Sequence, residues 1–274
     1  MTDPDAFAPT ASFMTANFVA REAGWSIPDW GAGDRATNEA FSPIETFRER
    51  FAALIDEAVN LGFDAIDLWE GHLNARWATP EHVSAAVSVL RDRGVTVTSL
   101  AGWFGNDAER VAAVCRLAVA VSAPILGGGT KLLEDDRDAL VRLLEEHDLR
   151  FGLENHPEKT PGDVRARIGE DAGGRIGATV DTGWFGTQGY DAAAAILELG
   201  DRVLHVHLKD VRHAGVPHET CGYGEGVVPL ERCVDALRDI GYRGGISVEH
   251  EPESYDPRDE IRAARKALAG WLGR

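Results

Sequence analysis

Arg150-Phe151-Gly152-Leu153-Glu154-Asn155-His156 reads as a short buried strand that ends in a carboxylate and an imidazole instead of turn chemistry. The pattern returns in Ile176-Gly177-Ala178-Thr179-Val180-Asp181, in Val203-Leu204-His205-Val206-His207 and in Gly245-Ile246-Ser247-Val248-Glu249. Parallel strands that neighbour one another in a closed barrel bring their C-terminal ends to one mouth. In that geometry Glu154, Asp181, His207 and Glu249 surround a single point. Carboxylates gathered there would repel one another unless a cation neutralised them. Three oxygen donors and one imidazole nitrogen suit a divalent ion such as Mn²⁺, Mg²⁺ or Co²⁺ better than a thiolate-bound structural zinc.

Outward from these four strands, strand-like and helix-like segments alternate along the chain. Residues 12–19 read as a first strand, followed by a long polar loop holding Trp25, Pro28 and Trp30. Residues 43–61 carry Phe47, Phe51, Leu54, Ile55 and Ala58 at helical spacing. A strand is expected at 65–69, then a helix at 80–93 opened by Thr79-Pro80. A strand at 95–100, a helix at 107–121 and a short strand at 123–126 follow. The last of these runs into Gly127-Gly128-Gly129, which reads as a turn. Helices at 136–147, 161–170, 191–199, 229–240 and 257–272 then separate and follow the four opening strands.

Uninterrupted alternation implies a parallel sheet covered by helices. An open doubly wound sheet would alternate too, but about eight units with functional side chains on successive strand ends favour closure. The expected fold is therefore α/β, a single (β/α)8 TIM barrel over residues 12–274, behind a short flexible tail at 1–11. One connection is long: residues 209–228 follow His207 directly, with Gly215, Gly222, Gly224 and Gly226 among His213, His218 and Tyr223. Such loops carry function at this face of a barrel, so this one is expected to form part of the pocket wall.

Composition narrows the partners. The 274 residues are 44% hydrophobic, enough for a large core, and their net charge is -17. That charge argues against nucleic acid and against an anionic membrane surface, both of which call for clustered Lys and Arg. Cys115, Cys221 and Cys233 show no CxxC spacing, so a disulfide framework is not expected and a reducing cytoplasm is the natural setting. The opening residues show neither a basic n-region nor an apolar h-region, which does not read as a signal peptide. No apolar run has the length of a membrane span.

The strings Leu153-Glu154-Asn155-His156-Pro157, Val180-Asp181-Thr182-Gly183-Trp184, His205-Val206-His207-Leu208-Lys209-Asp210 and Ser247-Val248-Glu249-His250-Glu251 resemble the sugar isomerase/epimerase superfamily of xylose-isomerase-like barrels. That group includes ketose 3-epimerases and inosose-processing enzymes. Ile66-Asp67-Leu68-Trp69-Glu70-Gly71-His72 resembles the family's second strand, so the likeness covers nearly the whole chain. The resemblance implies that Glu154, Asp181, His207 and Glu249 hold one divalent metal ion, Mn²⁺ first, with Mg²⁺, Co²⁺ or Zn²⁺ as alternatives. Ketose 3-epimerases place a substrate-binding His three residues after the strand-six Asp, where this chain has Trp184. It has instead His156 two residues after Glu154, a Glu-x-His pattern that also resembles the metal-bearing subunit of bacterial C-glycoside deglycosidases.

The leading expectation is a metal-dependent carbohydrate isomerase or 3-epimerase, working by proton abstraction next to a carbonyl through a metal-stabilised enediolate. Glu154, His156 and Glu249 are its candidate acid–base groups. Positions i and i+2 of a strand point the same way, so His156 should overhang the metal. Trp103 and Trp184 could offer flat faces to a sugar ring, and Lys209, His72 and His218 could meet its oxygens. His250 alternates with Glu249 and should face away. The alternatives are a lyase on 3-oxo-sugar C-glycosides and a non-catalytic sugar-binding partner subunit. Expected partners are a small carbohydrate and further copies of the chain, with room for a small accessory subunit, but neither nucleic acid nor membrane.

Overall fold

The computed structural model describes residues 7–273. Strand and helix alternate through it in chain order. The first half runs Thr10–Met14 (β1), Trp30–Phe41 (α1), Ile44–Asn60 (α2), Ala65–Trp69 (β2), Pro80–Arg93 (α3), Thr96–Trp103 (β3), Ala108–Ala120 (α4) and Ile125–Gly129 (β4). The helices Leu132–Asp135 (α5) and Arg137–Glu146 (α6) lead into Arg150–Glu154 (β5) and Pro161–Ile168 (α7). Ile176–Asp181 (β6), Thr182–Thr187 (α8), Ala192–Leu199 (α9) and Val203–Leu208 (β7) follow. A small hairpin pairs Asp210–Val211 (β8) with Thr220–Cys221 (β9), before Leu230–Asp239 (α10), Gly245–Val248 (β10) and Arg258–Leu272 (α11).

Eight parallel strands close in the order β1-β10-β7-β6-β5-β4-β3-β2, which is the expected barrel. Every residue of β2, β6 and β7 is buried, because helices cover the outside while side chains fill the inside. The outer layer is apolar, built from residues such as Phe47, Phe51, Leu54 and Ile55 of α2. The inside is narrow and polar. Gly152 leaves room for Thr179, whose Oγ1 would stand 2.4 Å from an added Cβ. Ser12, Asp67, Ser99, Thr179, His205 and Ser247 are all fully buried.

Four details differ from the sequence expectation. β1 stops at Met14 and passes into a 3-10 turn at Thr15–Phe18, so the strand is shorter than residues 12–19. The expected polar loop contains α1, capped by Asp29 accepting from Ala32 N–H. Gly127–Gly129 are strand, not turn: an added Cβ on Gly128 would lie 2.0 Å from the Gly102 carbonyl oxygen, so glycine lets β3 and β4 approach closely. Finally, Thr10 and Ala11 already pair with β10, and Arg238 sits 4.7 Å over the Phe7 ring, so the tail does not reach residue 11. Its expected first six residues lie outside the described residues.

Candidate active site at the barrel mouth

β5, β6 and β7 carry Glu154, Asp181 and His207 at or near their C-terminal ends, and Glu249 follows β10 directly. One ligand-grade atom from each of the four lies within 4.8 Å of every other. His207 Nδ1 stands 2.7 Å from Glu154 Oε1 and 3.5 Å from Glu249 Oε2. Asp181 does two jobs. Its Oδ1 accepts from Trp184 N–H at 2.9 Å and caps α8, which leaves Oδ2 toward the mouth.

Lys209 closes the base of this cluster. Its Nζ lies 3.1 Å from Asp181 Oδ2, 3.2 Å from Glu249 Oε1 and 3.1 Å from Glu251 Oε2. Burial alone would pull the ammonium down, but those three carboxylates outweigh it and hold Lys209 well above the usual lysine value. Burial likewise acts to raise Glu154, and His156 and His207 overcome it and hold the carboxyl well below its usual range. The residues fit a divalent cation. Oε2 of Glu249 is buried without a hydrogen-bond partner, and one ammonium stands against three carboxylates. Oxygen donors with one imidazole are the chemistry of a Mn²⁺-, Mg²⁺-, Co²⁺- or Zn²⁺-type site.

Three side-chain clamps hold the strand ends in place, and sequence reasoning gave none of them a role. Asn155 donates to the Asp181 carbonyl at 3.0 Å and accepts from Asp181 N–H at 2.9 Å. Thr182 Oγ1 donates to the Lys209 carbonyl at 2.8 Å and accepts from Lys209 N–H at 2.9 Å. Asn17 Nδ2 donates to the Val248 carbonyl at 3.0 Å, while its Oδ1 accepts from His250 N–H at 2.7 Å. Each clamp ties the segment just past one strand to the end of another, where the backbone ladder stops, so the ligand-bearing ends stay in register. The only sequence signal is a small polar residue beside a candidate ligand.

A cavity of about 1100 Å³ opens above the cluster. His156 lines it with Trp103, Trp184, Lys209 and His218. His156 Nε2 is 3.3 Å from Glu154 Oε1, and its side chain is 49% exposed. Trp184 lies between two imidazoles, 5.1 Å from the His156 ring and stacked at 4.1 Å on His218. Burial, aided by the Lys209 charge, pushes His218 down to about 4, so its ring is neutral near pH 7. Trp103, 44% exposed, lies over Gly129, where any Cβ would meet the indole at 2.8 Å. Glu70, unassigned from sequence, also lines the cavity; burial lifts it to about 7 in spite of its contact with Arg110.

His72 does not belong to this set. It is fully buried between Phe41 and Trp69, at 4.7 and 5.3 Å between ring centroids, and is not part of the cavity lining. Trp69 lies against its ring and lines the cavity in its place, so the structure does not bring His72 to the expected substrate contact. Lys209 reaches the cavity, and its ammonium is engaged there by Asp181, Glu249 and Glu251. His250 faces away as expected, with Glu260 Oε2 at 2.6 Å and Thr220 Oγ1 at 2.8 Å.

Comparison with known proteins places the chain. An uncharacterised protein of Methanocaldococcus jannaschii is 28% identical over 120 residues, which span 41% of this chain and 40% of that protein's length. A solved D-tagatose 3-epimerase-like protein superposes with a TM-score of 0.68 at 16% identity, covering 96% of this chain and 97% of the other. The IolI protein with a bound zinc atom superposes equally well, at 0.68, with 13% identity over 96% of this chain and 98% of that one. Residues 55–272 match the family model described as the xylose isomerase-like TIM barrel. By that match, and by the closed eight-stranded barrel, the chain belongs to the xylose isomerase-like TIM-barrel family.

Proposed function

We propose that the protein is a divalent-cation-dependent carbohydrate isomerase or epimerase that takes a proton from the carbon next to a carbonyl. The observation that carries this reading is His156, with Nε2 3.3 Å from Glu154 Oε1 on the cavity side of the four-residue cluster. Held by Glu154, Asp181, His207 and Glu249, a divalent cation supplies Lewis-acid polarisation of a substrate carbonyl. The remaining steps fall to side chains. His156 is half exposed on the cavity wall, whereas Asp181 and His207 are buried. His156 therefore meets the carbon-bound proton, Glu154 supports the charge that the imidazole gains, and Glu249 is the partner that returns a proton. Trp103 and Trp184 offer apolar faces to the C–H side of a ring, and the wall around them limits stray water. The epimerase-like solved relative supports the reaction class. Buried free cysteines agree with a reducing cytoplasm.

A lyase on oxidised glycosides is the second reading, favoured by the size of the cavity. Small-ligand sites occupy roughly 300–1,000 Å³, and this cavity, at about 1100 Å³, continues along Met14, Ala16, Ile27, Trp30 and Trp69. Those side chains lie on and around β1 and β2, with β2 across the barrel from β6. Cation-loaded protein should be incubated in D₂O with free ketoses and, separately, with 3-oxo-glycosides. Deuterium entering carbon next to the carbonyl of a free ketose, with a new isomer formed, supports the first reading. Aglycone release from the glycoside with no exchange into any ketose replaces it with the second. His156→Ala should lower turnover roughly 10²–10⁴-fold with cation content intact, whereas Asp181→Ala should lose both.

A further inference from the structure

Beneath the mouth, a second group of side chains fills the barrel axis. Asp67 of β2, His205 and His207 of β7 and Ser247 of β10 are each essentially sealed from solvent. Asp67 Oδ2 is the hub: His205 Nε2 lies at 2.5 Å, His207 Nε2 at 3.0 Å and Ser247 Oγ at 2.9 Å. Ser247 Oγ in turn meets Ser12 Oγ at 2.8 Å, and Thr98 Oγ1 donates to Ser12 Oγ at 3.1 Å. β2 and β7 are not neighbours in the barrel, so Asp67 reaches His207 across the interior. Side chains two apart on one strand share a face, which is why His205 and His207 both turn inward to it.

His207 is thereby held at both ends. Its Nδ1 faces Glu154 and Glu249, and its Nε2 faces Asp67. An imidazole that gives Nδ1 to a cation must carry its proton on Nε2, and that proton needs an acceptor in a buried site. We infer that Asp67 is a positioning residue for the cation site: by accepting the Nε2 proton of His207 it sets the tautomer and tilt that present Nδ1 to the ion. His205 and Ser247 hold Asp67 in turn. The inference rests on the reading of Glu154, Asp181, His207 and Glu249 as cation ligands.

Asp67, His205 and His207 also come close enough together to invite a second ion, with His207 bridging the two. Geometry favours hydrogen bonds. Both imidazole Nε2 atoms face one oxygen, Asp67 Oδ2. The Ser247 hydroxyl donates to the same oxygen, and neither Asp67 nor His205 lines the cavity from which an ion would enter.

The test is Co²⁺ binding, read as affinity by calorimetry, as metal per chain by elemental analysis, and as the visible Co²⁺ spectrum. Wild type should bind one ion. Asp67→Ala should still bind one, roughly 10–100-fold more weakly, with shifted visible bands. Asp67→Asn keeps the volume and an oxygen acceptor, so it should recover part of the affinity and lie between the two. Should Asp67→Ala fail to fold, Asp67→Asn decides alone: wild-type affinity and an unshifted spectrum would overturn the inference. Two ions in wild type and one in Asp67→Ala, with the remaining affinity unchanged, would make Asp67 a ligand and overturn it too. A wild type that binds no Co²⁺ sinks the cation-site reading itself, whereas equal binding by wild type and variant sinks only the role of Asp67.

Discussion

At the scale of single residues, Lys209 is the counter-charge of the carboxylate cluster. Three carboxylates lie within 3.2 Å of its ammonium, and its side chain is 3% exposed. Removing one partner of a buried charge pair costs about 3–5 kcal/mol, because the other is left uncompensated. Lys209→Met should therefore lower the melting temperature of the cation-free protein. Added Mn²⁺ should then raise it by more than it raises wild type, since the ion takes over the neutralisation. The raised value of Lys209 gives the sign with pH: its stabilisation is complete below the unfolded value of 10.5 and is lost only as pH climbs through the folded one. Equal melting of the two proteins in chelator would show that the lysine is dispensable. Glu154, Asp181, His207 and Glu249 were legible as strand-end residues because a period of two and a buried strand fix which side chains face the axis. Asn17, Asn155 and Thr182 were not, because each acts on the backbone of a different strand, which no local pattern encodes.

Among the elements, α1 and the segment after β7 were the least legible. The α1 sequence holds Gly31, Gly33, Thr37 and Asn38, all weak helix formers, so propensity points to a loop. Tertiary packing overrides it: a Cβ on Gly33 would lie 2.6 Å from the Val19 carbonyl oxygen, and only glycine lets the helix come so close. The expected pocket wall at residues 209–228 contains an ordered scaffold. The buried Asp210 carboxylate accepts N–H groups from Val211, Gly224, Gly226 and Val228, and Tyr223 donates its hydroxyl proton to the Leu208 carbonyl. That scaffold carries His218 to its stack on Trp184. Asp210→Ala leaves buried donors unmatched at about 1–3 kcal/mol each. It should raise KM or lower kcat about tenfold, with cation affinity unchanged. Hydrogen exchange at Gly224 and Gly226 should quicken in parallel. Unchanged exchange and kinetics would detach this segment from the reaction.

For the molecule as a whole, charge and topology act together. The net charge of -17 disfavours a compact state by self-repulsion, and barrel closure concentrates part of it where four carboxylates meet around Lys209 and His207. A ligand that binds only the folded state stabilises it by mass action, about 2.7 kcal/mol at a hundredfold excess over Kd. For a domain of this size each kcal/mol moves the melting temperature by about 2–4 °C, so saturating Mn²⁺ should raise it by about 5–10 °C. Excess EDTA should reverse the rise. Sodium chloride at matched ionic strength screens the diffuse surface charge but cannot hold four converging ligands, so it should give a smaller shift. Asp181→Ala separates the two effects: it deletes one ligand of four and barely alters the total charge, so it should keep the salt response and lose the Mn²⁺ response. If wild type and Asp181→Ala gained equally from Mn²⁺, the ion would be acting on the charge of the whole surface, and the barrel mouth would lose its claim to be the cation site.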